Sequence, residues 1–483
     1  MKLSIETTQV LEWFSELSKI PRKSGNEHKV RQWLSETAGK NAWHTKSDAA
    51  GNIVLSIPAT SGFEDRNTLV IQGHMDMVCE KTPDSSHDFS KDPIELVYDG
   101  DWLRANKTTL GSDNGIAIAL ALAMVTNKNI PHPKLELLFT TNEETGLNGA
   151  LGLENGFLTG KILLNVDSED EGVFTIGCAG GMTTHITIPG ERANNLEKFE
   201  GHFLTIAGLR GGHSGVNIQD QRANALKLMF RTLQSIASNC PDMLIGDCGG
   251  GTAHNAIPRE SYANIFLTKG SREQLNNIIK ILQRTLSDEY SVQDSGVRIS
   301  VEAVEARPST FPFNSQSTRK FIDFGISMPH GVAAVSEAIK GLVETSNNLA
   351  KVWIDGNAIN LISSQRSTVM SRLAEINQRI ESLARLAGGT LITSDGYPAW
   401  EPHWQSPLLA KCKNTYKGLF GKDPIVEVIH AGLECGVIGA KFPGMDMISF
   451  GPTIKNPHTP SETLFIPDID KIWKLMAGLF QAL

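Results

Sequence analysis

Asn52–Ile57, Thr68–Gly73, Leu135–Thr140 and Lys161–Val166 are short runs dominated by Ile, Val and Leu. A strand of that kind has no face it can show to water, so both of its faces must be covered. Helix-period segments lie between the runs. Ile116–Val125, rich in Ala, Ile and Leu, is one, and Ser112 stands where its N-cap is expected. Buried strands alternating with helices specify an α/β domain: a mixed, mostly parallel sheet flanked by helices. Two helices precede the first run. Val10, Leu11, Phe14 and Leu17 follow helical spacing up to Pro21, and Ser24-x-x-Glu27 reads as a capping box ahead of Val30, Trp33 and Leu34.

The texture changes near Gly180-Gly181. From about residue 185 to 395 the pattern is half-polar strand, long amphipathic helix, strand. That is the signature of antiparallel sheet with one solvated face. Helices are predicted over Arg222–Ser238, Glu273–Ser287, Val332–Ser346 and Thr368–Ala387. After Ser394-Asp395-Gly396-Tyr397-Pro398 the first texture returns, with strands at Ile425–Ile429 and Met445–Phe450. Asp468–Leu483 reads as a closing helix with Asp468 as its cap. The expected organisation is a catalytic domain in two parts, 1–184 and 396–483, interrupted by an inserted α+β lid domain, 185–395.

A length of 483 residues suits two or three domains, and 40% hydrophobic with 20% charged residues excludes disorder, collagen and coiled coil as the main architecture. The net charge is −8 with no basic run, which argues against nucleic acid or an anionic membrane as partner. The longest apolar stretch, Gly115–Val125, falls short of the roughly 20 residues a membrane span needs. Met1–Thr8 lacks the apolar core of a signal peptide, so a cytoplasmic enzyme is expected. Cys79, Cys178, Cys240, Cys248, Cys412 and Cys435 are scattered and form no Cys-x-x-Cys pair. Reduced, mostly buried thiols are expected, and any metal must use His and carboxylate ligands.

Acid and His clusters stand just beyond the apolar runs or at a helix start. His74-Met75-Asp76 follows the second run, Glu143-Glu144 the third and Asp167 the fourth. Asp113 opens a helix, and His458 follows Met445–Phe450. Ligands of open α/β sheets bind beyond the carboxyl ends of strands, so these groups can converge. Residues two apart on extended chain point the same way, which lets Asp76 hold one imidazole nitrogen while the other binds metal. Glu143 and Glu144 diverge, so one can ligate while the other acts as base. Taken singly, each has a purely structural explanation: a satisfied turn histidine, a helix-dipole partner, a solvated acidic loop. Together, two histidines and three carboxylates can hold two divalent ions bridged by Asp113. Imidazole with carboxylate suits zinc, with cobalt or manganese as substitutes. No Gly-x-Ser-x-Gly elbow is present to supply a serine nucleophile.

In this motif order the chain resembles the dinuclear zinc hydrolases that include carnosinase, aminoacylase, carboxypeptidase G and bacterial cytosolic dipeptidases. Gly73–Val78, Thr108–Gly115, Gly177–Gly181, Gly211–Gly215, Asn255–Glu260 and Ile429–Gly436 narrow the resemblance to the bacterial aminoacyl-histidine dipeptidases. The resemblance spans nearly the whole chain. It implies that Asp113 bridges two zinc ions, with His74 and Asp167 completing one site and Glu144 and His458 the other. It further implies that Glu143 is the general base, that Asp76 orients His74 and that His213 stabilises the oxyanion. Asn255, Arg366, Gly432 and Glu434 are then substrate contacts, Arg366 gripping a carboxylate, and His430 shapes the pocket. The implied substrate is an unblocked dipeptide, Xaa-His among others. The family also offers homodimers. An N-acyl amino acid deacylase or carboxypeptidase on the same scaffold, or a non-catalytic binding protein, are the alternatives.

Overall fold

The computed structural model describes residues 3–304 and 311–483. The chain divides into two units. The first comprises Met1–Cys178, Trp400–Val428 and Leu433–Leu483, and the second Ala179–Ala399 with Ile429–Gly432.

An eight-stranded sheet organises the first unit. Its strands run in the order His44–Ser47, Ile53–Ile57, Leu135–Thr140, Leu69–His74, Ile162–Asn165, Asp446–Ser449, Val173–Cys178, Ile425–Ile429. The parallel pairings are confined to the centre, where Leu69–His74 lies between Leu135–Thr140 and Ile162–Asn165, and Ile162–Asn165 pairs in turn with Asp446–Ser449. Antiparallel strands extend the sheet on both sides. Every residue of Leu69–His74 and of Leu135–Thr140 is buried. The apolar-rich run is therefore the direct trace of a strand covered on two faces. Ser112–Thr126 is buried from Ile116 through Met124, which its all-round apolar sequence requires. It packs against the strand Leu69–His74 and the helices Ile5–Ser18 and Ile466–Ala482.

The second unit is built on a nine-stranded sheet. The order is Arg298–Val304, Phe199–Ala207, Ser261–Thr268, Leu244–Gly250, Val343–Asp355, Ala358–Ser367, Gly180–Pro189, Thr390–Thr393, with Gly331–Val335 also paired to Val343–Asp355. The register pairings within this sheet are antiparallel. Its helices are Ala225–Asn239, Arg272–Glu289, Ser315–Ser327 and Met370–Leu386. Arg272–Glu289 buries Leu275, Ile279, Leu282 and Leu286, the one-sided stripe of a helix lying on a sheet.

The structure departs from the sequence-based expectations at identifiable places. Val332–Ser346 is not a helix but two strands, Gly331–Val335 and the start of Val343–Asp355, with Gly341 at φ +84° between them. Its apolar spacing suits a helix, but its β-branched residues Val332, Val335, Val343 and Thr345 are taken into paired strands, of which only the second is buried. The helix Ser315–Ser327, capped by Asn314 through Ser317 N, was not expected. The second unit begins at Ala179 rather than 185 and runs to Ala399 rather than 395. Gly181 and Tyr397 exchange backbone hydrogen bonds of 3.0 and 2.9 Å, which ties both flanks into this unit. Asp468 lies inside the closing helix, whose N-cap is Phe465, and accepts from Lys471. No described helix is long and apolar enough to cross a membrane. Five of the six cysteines are buried, and Cys79 is half-buried.

Candidate metal centre

The four central strands of the first unit end on one edge. His74 is the last residue of its strand, Glu143-Glu144 follow Leu135–Thr140, and Asp167 follows Ile162–Asn165. Beyond Asp446–Ser449 the chain forms a small hairpin in which Ile454–Lys455 pairs with Thr463–Phe465. The loop of that hairpin carries His458. Asp113 arrives at the start of the helix Ser112–Thr126, where its own φ/ψ is still non-helical. Asn114 locks this junction to the sheet: its Oδ1 accepts from His74 N at 3.2 Å and its Nδ2 donates to Val166 O at 2.6 Å.

The carboxylate of Asp113 faces two histidines, one with each oxygen. His74 Nε2 lies 3.1 Å from Oδ1 and His458 Nε2 lies 3.0 Å from Oδ2. His74 Nε2 is also 3.6 Å from Asp167 Oδ1, and His458 Nε2 is 3.1 Å from Glu144 Oε2. Two triads share Asp113, His74–Asp113–Asp167 and Asp113–Glu144–His458, and a third group is His74–Glu143–Glu144; in each the ligand atoms lie within 4.8 Å of one another. His458 reaches its place with φ +60°, a conformation that L residues adopt rarely and that a functional constraint commonly holds.

The residues fit divalent metal. Glu144 Oε1 is buried with no hydrogen-bond partner among the described residues. An orphan carboxylate oxygen among further buried carboxylates calls for a cation. The electrostatics agree. Burial, with the charges of Asp113 and Glu434 among others, raises Asp167 well above the carboxylate range against the pull of His74. Burial alone would lower His458, yet its hydrogen bonds to Asp113 and Glu144 push it up to about 11. The cluster thus draws positive charge wherever it can be had. Nitrogen and oxygen donors of this kind suit zinc, cobalt or manganese.

Glu143 is held differently. Asp76 Oδ1 accepts from Glu143 N at 3.0 Å and Asp76 Oδ2 accepts from Glu144 N at 3.2 Å. Asp76 therefore fixes the turn that bears both glutamates. It holds His74 as well: Nδ1 lies 3.1 Å from the Asp76 carbonyl oxygen and 3.4 Å from Oδ1. Burial raises Glu143 well above the usual carboxylate range, and Glu144, Asp167 and Glu434 add to this against His74. A carboxyl in that state takes up a proton readily, as a group that relays one must.

Several supporting residues were not evident from the sequence. The Ser24–Glu27 pair does not cap a helix. Ser24 Oγ donates to Asp76 Oδ2 at 2.8 Å, and Glu27 Oε1 accepts from Gly25 N and Asn142 N. Ser112 is not the N-cap either; Gly111 is, at φ +69°, where a Cβ would meet Met77 Sδ at 2.8 Å. Glu462, four residues after His458, is buried and grips this loop. It accepts from Leu110 N (2.8 Å), Gly111 N (2.9 Å), Ser112 N (2.8 Å), Ser112 Oγ (2.6 Å) and Asp113 N (3.3 Å). Arg22 Nη1 binds the carbonyls of Met75 and Asp76, and its Nη2 that of Gly111. One hairpin loop thus supplies His458 and clamps the backbone of Asp113. Glu462→Ala leaves several buried N–H groups unpaired at about 1–3 kcal/mol each. It should lower the melting temperature and weaken metal retention by about 10–100-fold, the usual effect of losing a group that orients a ligand. Competition with a chromophoric chelator checks this.

Glu434, expected at the substrate, is buried beneath the strand ends. Gln72 Nε2 and Thr140 Oγ1 donate to it at 2.6 Å each, and Gln72 Oε1 accepts from Asn165 Nδ2. Burial raises it to about 7. Both donors reach Oε2 and tie Glu434 to neighbouring strands, while its Oε1 is buried with no partner among the described residues.

The other expected residues lie in the second unit. His213 sits on a short strand paired with Ala256–Ile257, and Ser214 N donates to Asn255 O at 2.8 Å, so His213 and Asn255 are neighbours. His213 Nδ1 accepts from Gly215 N and Val216 N at 3.3 and 3.2 Å. The ring therefore carries its proton on Nε2. Arg366 is at the end of the strand Ala358–Ser367, not at a helix start, opposite Ser346 and Gly181. Its Nη1 donates to Tyr397 Oη at 2.7 Å. His430 shares a 2.7 Å hydrogen bond with Ser346 Oγ, and burial, with Arg366 nearby, lowers it to about 3. Gly432 packs against the ring of Tyr397.

Comparison with known proteins follows the same lines. Residues 70–482 match peptidase family M20/M25/M40. The cytosol non-specific dipeptidase of Escherichia coli is 37% identical over 468 residues, 97% of this chain and 96% of that one. The crystal structure of aminoacylhistidine dipeptidase from Vibrio alginolyticus superposes with a TM-score of 0.84 at 36% identity, covering 99% of this chain and 98% of the other. A tripeptidase from Staphylococcus aureus shares the fold with a TM-score of 0.61 at 14% identity, over 98% of each chain. With the family match over most of its length and a relative this similar end to end, the chain belongs to peptidase family M20/M25/M40.

Proposed function

We propose that this chain is a cytoplasmic, metal-dependent dipeptidase that hydrolyses unblocked dipeptides, Xaa-His dipeptides such as carnosine among them. Two zinc ions serve it, with cobalt or manganese able to replace them. The observation that carries the reading is the pair of triads sharing the two oxygens of Asp113. The names of the two most similar relatives described above support the substrate class.

Bound divalent ions supply Lewis acidity, which acidifies water and polarises the scissile carbonyl. The chain does the rest. His74, Asp113, Asp167, Glu144 and His458 are the ligands. Glu143, held through its backbone by Asp76, takes the proton of the attacking water on its carboxylate and passes it to the leaving amine. His213 donates from Nε2 to the developing oxyanion, since its Nδ1 is engaged as an acceptor. Arg366 reads the C-terminal carboxylate bidentately, and Asn255 and Gly432 border the substrate.

Loss of an oxyanion donor lowers kcat by about 10²–10³-fold. His213→Ala should do so with KM changed only a few-fold, because the partner charge exists only in the transition state. Steady-state kinetics on one dipeptide checks it. The proposal as a whole is tested by turnover of an unblocked dipeptide against its N-acylated counterpart with the zinc-loaded enzyme. Preference for the unblocked dipeptide is expected, and preference for the N-acyl compound would make the chain a deacylase instead.

A further inference from the structure

Arg366 is 7% exposed, and it takes part in no ion pair among the described residues. A guanidinium buried without a carboxylate is costly and calls for an anionic partner. Burial, followed by the charge of Arg366 itself, lowers both His254 and His430. The only hydrogen bond of its side chain among the described residues is Nη1 to Tyr397 Oη, 2.7 Å, and Nε is buried with no partner. With Nη1 engaged, the Nε–Nη2 edge is the side left to meet a carboxylate with two parallel bonds.

The ring of Tyr397 is held in a slot that two glycines make. A Cβ on Gly181 would lie 2.5 Å from Cζ and from Oη, and a Cβ on Gly432 would lie 2.7 Å from Cε2. Both distances are far inside van der Waals contact, so neither position accepts a side chain while the ring stays put. The backbone of Tyr397 is bonded both ways to Gly181, which is the register partner of Arg366. Ala179 N, donating to the carbonyls of Ile429 and Ala431 at 3.1 Å, holds the segment that brings Gly432 to the ring.

We infer that Tyr397 is a positioning residue for substrate selection: it holds Nη1 of Arg366 so that the Nε–Nη2 edge meets the C-terminal carboxylate of a dipeptide. Gly432 serves this arrangement by leaving room for the ring. The inference rests on the reading of Arg366 given above. A hydrogen bond to a charged group contributes about 1.5–3 kcal/mol, or roughly 10–100-fold.

The test compares dipeptide acid with dipeptide amide in wild type, Tyr397→Phe, Gly432→Ala, Arg366→Ala and the Tyr397→Phe/Arg366→Ala double variant. Tyr397→Phe keeps the ring and removes only the hydroxyl. It should raise KM for the acid by about 10-fold or more while kcat stays within about two-fold and the amide is unaffected. Gly432→Ala should lower the acid-over-amide preference in the same way by displacing the ring. The double variant should show the same acid-over-amide preference as Arg366→Ala, since the tyrosine bears on that preference through the guanidinium. An unchanged preference in Tyr397→Phe, with a reduced one in Arg366→Ala, overturns the inference and leaves the role of Arg366 standing. An unchanged preference in Arg366→Ala overturns both. Equal losses on acid and amide in Tyr397→Phe would make the tyrosine a packing residue only and also overturn it.

Discussion

Glu143→Gln should keep its metal and lose turnover by about two to four orders of magnitude, the range for a lost general base. The substitution preserves size and removes the proton-accepting oxygen. The backbone N–H of residue 143 still donates to Asp76 Oδ1, so the turn that carries Glu144 is undisturbed. Glu144→Ala should behave in the opposite sense. It removes a ligand from the triad with Asp113 and His458, so metal binding weakens and activity falls with it. Measuring metal content and kcat on the same preparations separates the two glutamates. Metal loss in Glu143→Gln with metal retained in Glu144→Ala would mean that their roles are the reverse of those assigned.

The second large effect concerns Asp113. Each of its oxygens belongs to a different triad, so Asp113→Ala removes one ligand from both and leaves His74 with Asp167 and Glu144 with His458. Both ions should be weakened, each by more than the roughly 10–100-fold that loss of a merely supporting residue produces. Dialysis against graded zinc concentrations, read by elemental analysis, gives the occupancy curve. A variant that kept full occupancy of one site would show that Asp113 serves a single ion.

The residues that the structure gathers in the candidate metal centre were legible because they stand directly beyond the most readable elements of the chain. Thr68–Gly73, Leu135–Thr140 and Lys161–Val166 each hold a core of Ile, Val, Leu or Phe, and His74, Glu143-Glu144 and Asp167 fall just beyond them. Glu462 and Arg22 had no such marker. Glu462 works by accepting backbone N–H groups from residues about 350 positions away, and neither periodicity nor a short motif records such a contact. Ser24 and Glu27 matched the spacing of a helix cap, but their partners are Asp76 and the backbone at Gly25 and Asn142, because tertiary contacts outcompeted the local ones. The segment Val332–Ser346 misled for a related reason. Its apolar spacing fits a helix, and only pairing with Ala358–Ser367, distant from the local pattern, makes its second half a strand. Tyr397 gave no signal beyond its place in a turn-like sequence; the two glycines that seat it are 251 positions apart in the chain.

The most direct test of the central claim is metal stoichiometry measured together with activity. The protein is stripped with a chelator, zinc is added back in steps, and bound zinc and dipeptide turnover are read on each sample. Two ions per chain are expected, with activity absent in the stripped protein and restored as the sites fill. Full activity in a sample without any transition metal, or saturation at one ion with full activity, would contradict a centre built on the shared carboxylate of Asp113.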